Sequence, residues 1–156
     1  VNRPYHPTDP AEASRAAASL AALPTLQDTR NRLVSTIERI GRQISAVAPT
    51  VTWRWHREES RTGCTPPYEQ SEGQVILLAN YLSDAPIPEQ DWQRAYDIAA
   101  GAADELGATT RTVFKDAPNN HDVQFSNDTG IALRIASQRS AVLTGGTGCR
   151  LATERR

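Results

Sequence analysis

Methionine is missing from this chain altogether, and lysine nearly so: of 17 Lys and Arg residues only Lys115 is a lysine. Without a methionine Val1 is not a translation start, so a processed segment upstream is expected. The arginine excess fits codon bias in a GC-rich genome as well as any demand for bidentate recognition. No apolar run approaches the roughly 20 residues that cross a bilayer. The remaining routes to a membrane are a lipid or a removed signal segment. A formal charge of -1 excludes a general attraction to nucleic acid. Nor do basic residues cluster with aromatics as a nucleic-acid surface requires. HExxH, CxxC, a Walker-type glycine loop and a GxSxG elbow are all absent, so no familiar catalytic signature is present. Gly145-Gly146-Thr147-Gly148 superficially resembles a phosphate cradle, but it lacks the following lysine and a helix start. It reads as a flexible hinge leading to Cys149.

Cysteine is also scarce, with Cys64 and Cys149 the only two. An even count, a wide separation and the lack of a CxxC pair favour one structural disulfide in an oxidising compartment. The closed loop would span 85 residues, worth about 4–5 kcal/mol in the chain-entropy account. Two buried, reduced thiols are the alternative.

What is present describes one domain of 156 residues, with flexible tails expected over 1–8 and 150–156. Asp9, Pro10 and Glu12 form a helix start, followed by an alanine-rich stretch that Pro24 interrupts. Thr25 to Asp28 restarts the helix. Leu26, Leu33, Ile37, Ile40, Ile44 and Val47 then recur at helical spacing, predicting an amphipathic helix over 26–48 that stops before Pro49. Val51, Trp53 and Trp55 alternate with Thr52, Arg54 and His56, as in a half-buried strand. Glu58 to Gly73 reads as a long connection, and Val75 to Leu82 is ambiguous between strand and helix. A second long helix is predicted over 88–106, with Trp92, Tyr96, Ala99, Ala103 and Leu106 on its stripe and Gly107 as its stop. Gly101 among its alanines is read as a point of close packing. From Thr109 onward, short alternating runs separated by turn clusters predict an antiparallel meander. The expected architecture is α+β: a two-layer sandwich of a mainly antiparallel, four- or five-stranded sheet with the two long helices on one face.

Three segments, Thr62-Gly63-Cys64-Thr65-Pro66-Pro67, Pro88-Glu89-Gln90-Asp91-Trp92 and Gly145-Gly146-Thr147-Gly148-Cys149-Arg150-Leu151, carry a resemblance. With the Trp53-Arg54-Trp55 strand, they make the chain similar to the mycobacterial LppA-like cell-wall lipoproteins over most of its length. The resemblance implies an exported precursor whose signal peptide is cleaved before a lipidated cysteine upstream of Val1. It implies a lipid-anchored location on the outer face of the membrane or in the cell wall, and neither Cys64 nor Cys149 holds the lipidation position. It carries no activity to any residue.

The titratable candidates are thin. His56 with Glu58 and His121 with Asp122 could supply acid–base catalysis or converge on a divalent metal. Ordinary surface histidines are the competing reading, and no metal or other cofactor is expected. Trp53, Trp55, Trp92 and Tyr96 fit core packing under the helices, or alternatively a pocket for an apolar or glycan ligand at the helix–sheet junction. The functional expectation is a non-enzymatic envelope domain that binds an envelope lipid, a glycan or another envelope protein. The alternatives are a hydrolase with an unrecognised His–acid site and a purely structural or interaction protein.

Overall fold

The computed structural model describes residues 6–152. Helix α1 spans Pro10–Ser19, and its N-cap Asp9 accepts a hydrogen bond from the Ala11 amide. A 3-10 turn over Leu20–Ala22 follows, and the chain restarts as α2, Leu26–Val47, with Thr25 Oγ1 accepting from the Asp28 amide. Helix α3 spans Glu89–Glu105 and ends at Gly107, whose φ of +76° is the left-handed stop expected there. Both long helices fall where their apolar spacing predicts, because each buries one stripe and leaves the rest in water.

The sheet is larger than expected. Its eight strands are β1 Arg54–His56, β2 Ser60–Gly63, β3 Gln74–Leu77, β4 Asn80–Ser83, β5 Thr110–Ala117, β6 Asn120–Ser126, β7 Ala132–Ser137 and β8 Ala141–Gly146. They run in the order β1-β4-β8-β7-β6-β5, with β2 pairing β3 and β3 also touching β8. All pairings are antiparallel. The four- or five-strand expectation falls short for two reasons. The connection from Glu58 to Gly73 contains β2, whose all-polar composition and full exposure conceal it from an apolar pattern. The ambiguous segment 75–82 is two strands broken at Leu78-Ala79, one residue out of register with each other along β8. Thr144 Oγ1 donates toward the Leu78 and Ala79 carbonyls at the break, at 3.3 and 3.2 Å.

One sheet face is covered by α2 and α3, and the core lies between the layers. Leu33, Ile37, Ile40 and Ile44 of α2 meet Leu133, Ile135 and Leu143 there, all essentially inaccessible to solvent. Strands β6 and β7 alternate between this face and the other, residue by residue.

The disulfide is formed: Cys64 and Cys149 are bonded, tying the end of β2 to the segment after β8. Gly145 and Gly146, expected in a flexible hinge, belong to β8. The expected C-terminal tail begins with two anchored residues. Arg150 is 1% exposed and bridges to Gln74, and the Leu151 carbonyl accepts from the Leu26 amide at the start of α2. In the expected N-terminal tail, Thr8 is bonded through its amide and hydroxyl to Glu69. The remainder of both tails, residues 1–5 and 153–156, lies outside the described residues. Gly101 is corrected as well: its outward side is open, with nothing within 4 Å of where a Cβ would sit.

Candidate functional site

The sheet order separates the histidines. His56 lies on β1, at one end of the order, and is exposed together with Glu58. His121 lies on β6, beside the opposite edge strand. Asp122, its neighbour in sequence, faces the other side of the sheet, because successive residues of a strand alternate. Asp122 instead holds Arg134 through two bonds of 2.7 and 2.6 Å, and this pairing raises the guanidinium pKa from its ordinary value. The four candidates His56, Glu58, His121 and Asp122 therefore do not converge. Among the described residues no group of three His, Cys, Asp or Glu side chains is placed to hold a metal ion.

His121 has different partners, which sequence spacing does not reveal. It is 7% exposed, its Nε2 lies 2.9 Å from Glu89 at the start of α3, and its Nδ1 lies 3.1 Å from Asp116 on β5. Its ring stacks on Trp92 with centroids 4.3 Å apart. Glu89 also accepts the Asn119 amide, and that bond, followed by the one to His121, holds its carboxyl below the usual carboxylate range. With both ring nitrogens engaged, this is a pin joining α3 to the β5–β6 hairpin.

The aromatic candidates form two separate stacks. Trp53 and Trp55 both pack on Tyr81, with centroids at 5.6 and 4.7 Å, and their indole N–H groups donate to the Gly41 carbonyl and to Glu38 of α2. Burial and the nearby Glu38 charge push the Tyr81 phenol up, which Arg42 opposes. Trp92 and Tyr96 pack with His121 and Phe125 under α3. Trp55 borders a groove of about 210 Å³ with Arg30 and Glu59, and Trp92 and Tyr96 border one of about 120 Å³. Their dominant contacts are with each other and with the core.

The site the sequence reading missed is the sheet face that the helices leave open. There a groove of about 350 Å³ runs across β3, β8, β7 and β6, lined by Val75, Leu77, Ala132, Thr144, Gln124 and Arg134, with Gly145 and Gly146 among the lining residues. Leu77 is 51% exposed. Beyond the groove Phe114 is 49% exposed under the Arg134 guanidinium, 4.6 Å from ring centroid to cation. Phe114 is the extra residue where the β5–β6 register shifts between Val113 and Lys115. In the sequence Val75, Leu77 and Ala132 are ordinary apolar strand positions, and the structure shows that α2 and α3 leave them uncovered.

Comparison with known proteins gives the class and then the family. The LppA family, described as a lipoprotein confined to pathogenic Mycobacterium, matches residues 1–153. The crystal structure of LppA from Mycobacterium tuberculosis superposes with a TM-score of 0.74 at 19% identity, covering 90% of this chain and 87% of that one. A DUF4853 family protein from Actinomyces odontolyticus gives a TM-score of 0.45 at 16% identity, over 76% of this chain and 70% of its own. No curated protein sequence matches. This chain belongs to the LppA lipoprotein family, and membership implies a lipid-anchored location in the cell envelope. No helix among the described residues is long and apolar enough to cross a membrane.

Proposed function

We propose that this domain is a non-enzymatic binding module of the cell envelope, tethered by a lipid upstream of Val1, and that it receives an apolar envelope ligand across its open sheet face. The observation that carries this reading is the groove between Leu77 and Arg134: apolar walls, a volume of about 350 Å³ and one fixed cation at its margin. Such a combination suits a ligand with a hydrocarbon body and a polar end. The histidines are spent on the fold or lie exposed at the far edge, which removes support from a hydrolase. The test is titration with a fluorescent fatty acid and a panel of envelope lipids and glycans, on the parent chain and on Ala132→Trp. That indole would fill the groove without entering the core. Saturable binding lost in Ala132→Trp supports the reading. Binding unaffected by the substitution, or no binding by any probe, overturns it in favour of a structural or protein-interaction role.

A further inference from the structure

Another charged groove lies in the helical layer, between the middle of α2 and the C-terminal end of α3. It encloses about 520 Å³ and is lined by Arg32, Arg39 and Arg42 with Ser35, against the single carboxylate of Glu105. Spacings of seven and three put the three arginines on one side of α2. Two of them converge on one residue: Arg32 donates to the Glu105 backbone carbonyl at 2.8 Å, and Arg39 donates to the Glu105 carboxylate. Arg42 is exposed and makes no ion pair or hydrogen bond among the described residues, and its charge is felt by the Tyr81 phenol. The lining of this groove carries three guanidinium groups against one carboxylate, in a chain of net charge -1, with Glu38 the next acid beside Arg42 on α2. Gathering like charges is unfavourable unless an anion joins them, and guanidinium forks match phosphate oxygens geometrically.

We infer that this groove binds a phosphate-bearing anion, with Arg32, Arg39 and Arg42 as donors and Glu105 as the internal competitor that the ligand displaces. The inference is independent of the open-face groove, since it uses different residues in the other layer. Helix-end capping by Arg32 alone would account for its bond to the carbonyl but not for the gathering of Arg39 and Arg42 beside it.

The experiment is calorimetry with inorganic pyrophosphate at low salt, in parallel with sedimentation on phosphatidylcholine vesicles with and without phosphatidylglycerol. Arg32→Gln and Arg42→Gln should each weaken binding about tenfold, the loss of one charge-assisted contact. Glu105→Gln should strengthen it, because a competing carboxylate is gone. Thermal melts check that each variant folds. Pyrophosphate binding identifies a soluble phosphate group, and binding only to phosphatidylglycerol vesicles identifies a lipid headgroup. Both outcomes support the site provided the arginine substitutions weaken them. Absence of both, insensitivity to Arg32→Gln and Arg42→Gln, or weaker binding by Glu105→Gln would overturn it.

Discussion

His121 connects three elements through one side chain: Glu89 of α3, Asp116 of β5 and its own strand β6, with Trp92 flat against the ring. His121→Ala removes the stack and both contacts, and should cost about 1–3 kcal/mol in urea unfolding. The carboxylate on the α3 side gives a pH signature. Glu89 is held ionised below its ordinary range in the folded state, so its contribution is complete above the unfolded pKa and is lost as pH falls through the folded value. The thermal midpoint should therefore decline between about pH 5 and pH 3, and Glu89→Gln should flatten part of that slope. Arg150 is the other residue with more partners than its position foretold. Its guanidinium donates to the Thr129 and Cys149 carbonyls and to the Thr129 hydroxyl, while its Nε has no partner, and burial pushes its pKa down. Arg150→Ala would empty a buried site and remove the donors that hold Thr129, at a cost of about 2–4 kcal/mol by denaturant titration. Neither role was legible in the sequence, because both depend on which distant residues the sheet brings near.

At the scale of elements, the two helix glycines make opposite predictions. Gly41 follows Ile40 on the buried stripe of α2, and a Cβ there would come within 2.7 Å of the Tyr81 ring and 3.1 Å of Trp53. Gly41→Ala should destabilise by about 1–3 kcal/mol, the overpacking outweighing its better helix propensity. Gly101→Ala meets nothing and should stabilise by about 0.5–1 kcal/mol, read from the shift in thermal midpoint. The alanine-rich surroundings of Gly101 drew attention to the wrong glycine; the apolar spacing around Ile37, Ile40 and Ile44 already marked Gly41 as inward-facing. Long elements with a periodic stripe, α2 and α3, were readable to within a residue or two. Short strands were not. Neither β2, which is entirely polar, nor β3 and β4, which share one apolar run, carries enough residues to establish a period.

For the whole molecule, the two-layer α+β architecture followed from polar and apolar alternation in the meander plus two amphipathic helices. The open sheet face did not, because an apolar residue on an uncovered face has the same local pattern as one in the core. The disulfide acts at this scale as well. Reducing it, or replacing both cysteines with alanine, reopens a loop spanning 85 residues in the unfolded ensemble. A loss of about 4–5 kcal/mol is expected, seen as a lowered urea midpoint. A midpoint unchanged by reduction would contradict the chain-entropy account for this fold.

The place of β8 has a consequence for how the chain comes together in time. The strand lies between β4 and β7 and also contacts β3, so the N-terminal strands join the C-terminal meander through β8 and the residues that directly follow it. Until those residues are available, the earlier strands have no partner across the middle of the sheet, and α2 lacks Leu143 from its core. Synthesis order therefore cannot be folding order here. Completion waits for almost the full length, and the long sequence separations involved make that final step slow. A polypeptide leaving the ribosome therefore carries an unfinished sheet until almost all of it has been made.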